Sequence, residues 1–131
     1  IIMRNRLAEF LREHQLERYY KPKQVGDETY HVVLPFVHEQ DDKIQKAIKP
    51  LHLDKEGPTE IYRHGDFWIS SLKRLQKINR LPKEMLFTVK APRANAKRIT
   101  AADEICKELQ NFGAVTVPFA EKNRILDFAR I

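Results

Sequence analysis

Hydrophobic residues near the amino terminus recur at the spacing of a helix. Leu7, Phe10, Leu11 and Leu16 lie close to the helical period, and charged residues between Arg4 and Glu17 fill the other face. The next hydrophobic segment, from Tyr30 to Val37, is β-branched and nearly continuous, which predicts a strand with both faces buried. Pro35 has no N–H to donate to a sheet, so we expect it at the end of this strand or at an exposed edge.

The segment after this strand predicts a second helix. Its acidic residues at 39–42 would lie at the positive end of the helix dipole, and Ile44, Ala47 and Ile48 would form one apolar face. Pro50 would end the helix at or before the preceding residue.

The centre of the chain predicts a hairpin followed by another helix. Residues 61–69 resemble two short strands around the Gly-Asp pair at 65–66. A serine at 70 or 71 would cap the helix, and Pro82 would stop it.

Three strands and one helix are predicted in the rest of the chain. The strands cover 85–89, 114–117 and 125–128, and the helix begins near a cap at Thr100 and ends at Gly113. The predicted order is therefore α-β-α-β-β-α-β-α-β-β. We expect a single α+β (or α/β) domain over residues 1–131, with a mixed sheet of four to six strands and three to four packing helices.

The composition supports a folded domain in a reducing compartment. Hydrophobic residues make up 42% of the 131 residues, which is enough for a core, and no apolar run approaches the length of a membrane span. One cysteine permits no internal disulfide, so we expect a cytoplasmic, intracellular protein. We expect no membrane partner, because the apolar face of the predicted basic helix is narrow and has no large aromatic anchor. Ile1 and Ile2 precede Met3, as they would if two residues had been added or if the chain were a piece of a longer protein.

The net charge of +6 has a local origin in the sequence. Residues 70–98 contain nine Lys or Arg and a single acid, Glu84, whereas the rest of the chain is slightly acidic. We expect these nine residues to contact the phosphates of a nucleic acid, DNA or RNA. They are Lys73, Arg74, Lys77, Arg80, Lys83, Lys90, Arg93, Lys97 and Arg98.

Asp66 on the predicted hairpin is followed by the triplet Thr88-Val89-Lys90 at the end of a predicted strand. This arrangement resembles that of the restriction-endonuclease superfamily. The resemblance covers residues 60–118 and implies an Asp and a (D/E)-x-K triplet that bind Mg²⁺ beside a phosphate. Thr88 stands where that pattern has a carboxylate, so the resemblance fits a degenerate relative as well as a metal-dependent nuclease.

The remaining candidates for chemistry are few. His64 and Asp66, two residues apart on a predicted strand, would share a face and could act as a general acid and base. No glycine-rich phosphate loop is present, and we expect no metal site and no cofactor. The preferred function is therefore a non-enzymatic nucleic-acid-binding domain. The alternatives are an interaction module, such as a subunit, adaptor or inhibitor, that docks on an acidic protein, and the nuclease.

Overall fold

A five-stranded mixed sheet forms the centre of the protein, and the computed structural model describes all 131 residues. In chain order the elements are α1 (Ile2–Glu13), a 3₁₀ turn (Glu17–Tyr19), β1 (Lys21–Gly26), β2 (His31–Gln40), β3 (Lys43–His52), α2 (Pro58–Lys77), β4 (Glu84–Lys90), α3 (Ala96–Asn111), β5 (Val115–Pro118) and α4 (Lys122–Ala129).

The strands lie in the sheet in the order in which they occur in the chain. β1, β2 and β3 are antiparallel neighbours, whereas β4 runs parallel to β3 and β5 runs parallel to β4. The parallel pairs are joined by α2 and α3, as the geometry of a crossover requires. The predicted fold class, α+β with a mixed sheet of four to six strands and three to four packing helices, is confirmed.

Two hydrophobic cores separate the helices into two layers. Along β4, Phe87 packs in the same core as Ile61 of α2 and Ile105 of α3. Leu86 packs in the second core, with residues of α1 and α4. Because successive strand residues point to opposite faces, the continuous apolar run of β4 supplies both cores at once.

The helix predicted over residues 39–48 is wrong, since this segment forms the end of β2 and most of β3. Asp41 and Asp42 both adopt positive φ, 56° and 60°, as the central residues of a type I′ hairpin turn do. The apolar residues that suggested one helical face are divided between the two faces of the sheet: Ala47 lies in one core and Ile48 in the other.

The hairpin predicted around Gly65 is also wrong, because α2 runs through it without interruption. The helix starts at Pro58, a residue favoured in the first turn, and buries Ile61, Gly65 and Trp68 on one face. Gly65 is part of that face because α3 approaches it closely, and it does not form a turn.

Three further elements differ from the prediction: the start of α3, the segment at 125–128 and β1. Asn95, and not Thr100, caps α3 by accepting a hydrogen bond from the backbone N–H of Arg98 at 3.2 Å. The strand predicted at 125–128 is instead α4, whose apolar residues pack in the same core as α1. β1 was not predicted at all, since its Lys-, Pro- and Gly-containing sequence carries little strand signal.

Pro35 lies where β2 leaves β3. Pairing between β2 and β3 extends from the turn to Phe36, opposite Ile48, while the start of β2 pairs with β1 alone. Pro35 was expected at the end of its strand or on an exposed edge, and this is wrong: it lies in the middle of β2, between β1 and β3 in the sheet. The proline is tolerated there because it lies beside an irregular register with β1 and beyond the last pair with β3. As a consequence, β3 has no neighbour on that side from Lys49 onward.

Candidate nucleic-acid interface

A large cleft, about 1660 Å³ in volume, lies at the ends of the parallel strands. β3 ends at His52, β4 at Lys90 and β5 at Pro118, and all three residues line the cleft. The crevice beyond the carboxyl ends of parallel strands is a common ligand site, because the following helices begin there. The first residues of α1 and α4 line it as well, so the positive ends of these helices add to its potential.

The lining of the cleft contains the whole positive excess of the protein. Eight Lys or Arg line it against two carboxylates, Asp54 and Asp103. The whole chain has 24 basic and 18 acidic residues, so 16 basic and 16 acidic residues remain outside the cleft. The basic residues of the cleft are Arg4, Arg6, Lys49, Lys55, Lys90, Arg93, Arg98 and Lys122.

Most of these cations have no counter-ion. Arg98 forms the one ion pair among the eight, with Asp54, and Lys122 donates a hydrogen bond from Nζ to the Phe119 carbonyl at 2.8 Å. The other six side chains form no ion pair and donate no hydrogen bond within the protein. Their donors are therefore free for an external anion.

Burial, together with repulsion from a neighbouring cation, lowers the pKa of two cleft lysines. Burial is the main cause of the lowered pKa of Lys49, and the charge of Arg4 adds to it. The pKa of Lys122 is lowered by burial and then by Arg6. No acid compensates at either site, so the cleft has a positive potential that a bound polyanion would relieve.

Two histidines lie in the same positive field. Burial lowers the pKa of His52, with further lowering by Lys55 and Lys90 that Asp54 partly opposes. Burial also lowers the pKa of His64, followed by the charges of Lys55 and Lys49 and by His52. Nδ1 of His52 is buried and has no hydrogen-bond partner in the protein.

Arg98 organises the rim of the cleft. Its Nε donates to the Lys55 carbonyl at 2.8 Å, its Nη2 donates to the Asp54 carboxylate and its Nη1 donates to the Ala94 carbonyl at 3.3 Å. The side chain thus ties the loop after β3 to the start of α3, and only part of its charge is available to a ligand.

The nine basic residues expected to contact phosphates are divided between the two ends of β4. Lys73, Arg74 and Lys77 lie in the last turns of α2, and Arg80 and Lys83 lie in the loop before β4. Lys73, Lys77 and Arg80 therefore do not share one helix face, because α2 ends at Lys77.

The other four predicted residues lie at the opposite end of β4 or beyond it. Of these, Lys90, Arg93 and Arg98 line the cleft, while Lys97 does not. The seven residues of β4 span about 20 Å at about 3.3 Å per residue, so the two groups are separate surfaces.

The nuclease-like constellation does not form as predicted. Asp66 lies on the exposed side of α2 and not on a strand next to Lys90. Thr88, where the resemblance needs a carboxylate, is fully buried, and its hydroxyl has no partner. No group of three or more His, Cys, Asp and Glu residues in the protein is arranged to hold a metal ion.

His64 is the one weak catalytic candidate, apart from Lys90, that lies in the cleft. Its expected partner Asp66 is on another side of the same helix, since residues two apart on a helix do not face each other. The predicted His64–Asp66 pair is therefore wrong.

Five of the eight cleft cations were missed from the sequence: Arg4, Arg6, Lys49, Lys55 and Lys122. They come from four distant segments, and none stands in a run of like charges. A correct strand order would have identified two of them. Lys55 lies in the loop after the parallel strand β3, and Lys122 begins the helix after the parallel strand β5.

Comparison with known protein families, with curated proteins and with solved structures gives no match to this chain. None of the four helices combines the length and the apolar character needed to cross a lipid bilayer.

Proposed function

We propose that the protein binds nucleic acid through the cleft at the ends of β3, β4 and β5. The observation that carries the proposal is that the entire positive excess of the chain lines this one cleft. Outside the cleft, 16 basic residues are balanced by 16 acidic residues. The eight cations of the cleft face only two acids, and a bound anion accounts for this imbalance better than solvation alone.

Phosphodiesters match the donors that the cleft offers. Six of the cations form no ion pair and donate no hydrogen bond within the protein, and a polyanion would satisfy them while releasing its own counter-ions. The positive ends of α1 and α4 at the same site favour phosphate further.

The size of the cleft supports an extended ligand. Small-molecule sites are usually about 300–1000 Å³, and this cleft exceeds that range at about 1660 Å³. Since the metal-binding constellation does not form, the proposal is one of binding, with no cleavage step.

The test compares two double variants with identical net charge. Lys90→Gln with Arg93→Gln removes two exposed cations of the cleft, and Lys73→Gln with Lys77→Gln removes two exposed cations of α2 outside it. Binding of fluorescent single- and double-stranded oligonucleotides would be titrated at several salt concentrations.

We expect the cleft variant to bind about tenfold more weakly and its log–log salt slope to fall by about 0.7–0.9 per lost contact. The α2 variant should match wild type. Equal losses in both variants would show non-specific attraction and contradict the cleft assignment. Failure of the wild type to bind any oligonucleotide, together with a complex formed with an acidic protein, would support the interaction-module alternative.

A further inference from the structure

A second, smaller cavity opens between α1 and the start of the sheet. Its volume is about 430 Å³, within the range of small-ligand pockets. Its apolar wall consists of Ala8, Leu11, Tyr20, Val33 and Phe36, with two prolines beside them. The side chain of Val33 is 61% exposed although it lies within a strand, so the wall offers apolar surface that no part of the chain covers.

The two cavities meet at two cations. Arg4 and Lys49 are the residues that line both the small cavity and the large cleft. Lys49 reaches this junction because β2 leaves β3 at Pro35, which removes the neighbouring strand at that point. Glu17, the one acid in the wall of the small cavity, is already bonded to Arg12 at 2.9 Å.

The walls of the small cavity suit a flat, weakly polar ring better than a second phosphate. The Tyr20 hydroxyl donates to the Ala129 carbonyl at 2.7 Å, so that residue presents its ring and not its hydroxyl. Asn5 is the neutral polar side chain in the lining, and its amide could bond to the edge of a base.

We infer that the small cavity holds one unpaired base of a single-stranded nucleic acid, with the phosphate of that nucleotide between Arg4 and Lys49. This inference rests on the nucleic-acid binding proposed above and narrows its ligand, because a base in a duplex cannot enter the cavity without leaving its stack. The chain of phosphates continues from the junction into the basic cleft.

A mononucleotide tests the cavity apart from the cleft. AMP, ribose 5-phosphate, adenosine and laurate would each be titrated against the protein. Trp68, the one tryptophan of the chain, reports on the site because Lys49 Nζ lies 5.2 Å from the centroid of its ring. We expect AMP to bind about tenfold more tightly than ribose 5-phosphate, the difference being the stacked base.

Three variants locate the binding. Val33→Asp puts a carboxylate on an exposed wall position, and Lys49→Gln removes one cation of the junction; both should weaken AMP binding about tenfold. Val115→Asp is the matched control, since Val115 is an exposed strand valine, 43% accessible, that lines neither cavity. Circular dichroism and thermal unfolding would establish that each variant is folded.

The outcomes separate this inference from the function on which it rests. Weaker AMP and single-strand binding in Val33→Asp, with duplex binding unchanged, supports both. Equal affinities for AMP and ribose 5-phosphate, preferential binding of laurate, or single-strand binding that Val33→Asp leaves intact would each overturn the base pocket. Oligonucleotide binding that depends on Lys90 and Arg93 would still uphold the cleft. If the wild type binds AMP but no oligonucleotide, the proposed nucleic-acid binding is wrong, and so is the inference that the small cavity holds a base of a single strand.

Discussion

Gly65 of α2 is packed directly against Ile105 of α3. A Cβ built at Gly65 would lie 2.5 Å from both Cδ1 and Cγ2 of Ile105 and 2.6 Å from its Cγ1. Atoms cannot approach so closely, and three atoms of one branched side chain cannot all move away within a filled core. The absence of a side chain at Gly65 therefore sets the distance between the two helices that form one wall of the cleft.

We expect Gly65→Ala to destabilise the protein although alanine is the better helix former. The gain in helix propensity is about 1 kcal/mol, whereas overpacking costs about 1–3 kcal/mol and can exceed that. Urea denaturation should show a net loss of about 1–2 kcal/mol in the free energy of unfolding. In an Ile105→Ala background, which removes all three clashing atoms, the same substitution should be neutral or stabilising. Equal cost in both backgrounds would contradict the packing explanation.

This glycine also shows why one part of the fold was mispredicted. In a short window, Gly65 followed by Asp66 has the composition of a turn, and its neighbours have strand propensity. Only the long-range packing on Ile105 gives the glycine a place inside a helix. By contrast, the strand at 85–89 was predicted correctly because five consecutive apolar or β-branched residues are buried on both faces wherever the strand lies.

The site was harder to predict than the fold, for a related physical reason. Local charge density identified Lys90, Arg93 and Arg98, but it gave equal weight to Lys73 and Lys77, which β4 places at the other end of the sheet. The other cleft cations come from separate strand ends and helix starts, so no short stretch of the sequence shows an excess of charge that would identify them. Their convergence follows from the parallel arrangement of β3, β4 and β5, which depends on long-range pairing.

Thr88 gives a prediction that bears on the nuclease resemblance. Its hydroxyl is buried without a partner, and the residues opposite it on the neighbouring strands are Pro50 and Val117. Thr88→Val removes an unpaired polar group and keeps the shape, so the free energy of unfolding should stay level or rise by about 1 kcal/mol. Nucleic-acid affinity, measured with the same protein, should not change. A stable variant with lost binding would instead show that Thr88 contacts the ligand.

Arg98 should behave as a structural residue more than as a phosphate contact. Lysine keeps the charge but cannot reproduce the three bonds to Asp54, Lys55 and Ala94, so Arg98→Lys should lower the free energy of unfolding by about 1–2 kcal/mol. Lys97 is the adjacent control: it is exposed, makes no ion pair and lies outside the cleft, and Lys97→Gln should stay within about 0.5 kcal/mol of wild type. Chemical denaturation measures both. Equal stability of Arg98→Lys and wild type would mean that the loop after β3 is not held by this side chain.

His52 and His64 predict how stability depends on pH. Burial and nearby lysines lower the pKa of both imidazoles in the folded protein, so the folded state takes up protons less readily than the unfolded chain. The stabilisation is therefore complete above the unfolded pKa of about 6.5 and is lost progressively as the pH falls below it towards the folded values. The urea midpoint of the wild type should decrease between about pH 7.5 and pH 5.5, and it should decrease less in the double variant His52→Gln/His64→Gln.

The affinity for a polyanion should depend on pH in the opposite sense, because a bound phosphate favours the protonated imidazoles that burial and the cleft lysines disfavour. Oligonucleotide affinity of the wild type should therefore rise as the pH is lowered over the same interval, with net proton uptake on binding. Isothermal titration calorimetry in two buffers of different ionisation enthalpy measures that uptake directly. The His52→Gln/His64→Gln variant should take up fewer protons, whereas His31→Gln, an exposed strand histidine outside both cavities, should match wild type. Equal proton uptake in all three proteins would show that the two histidines do not face the bound phosphates.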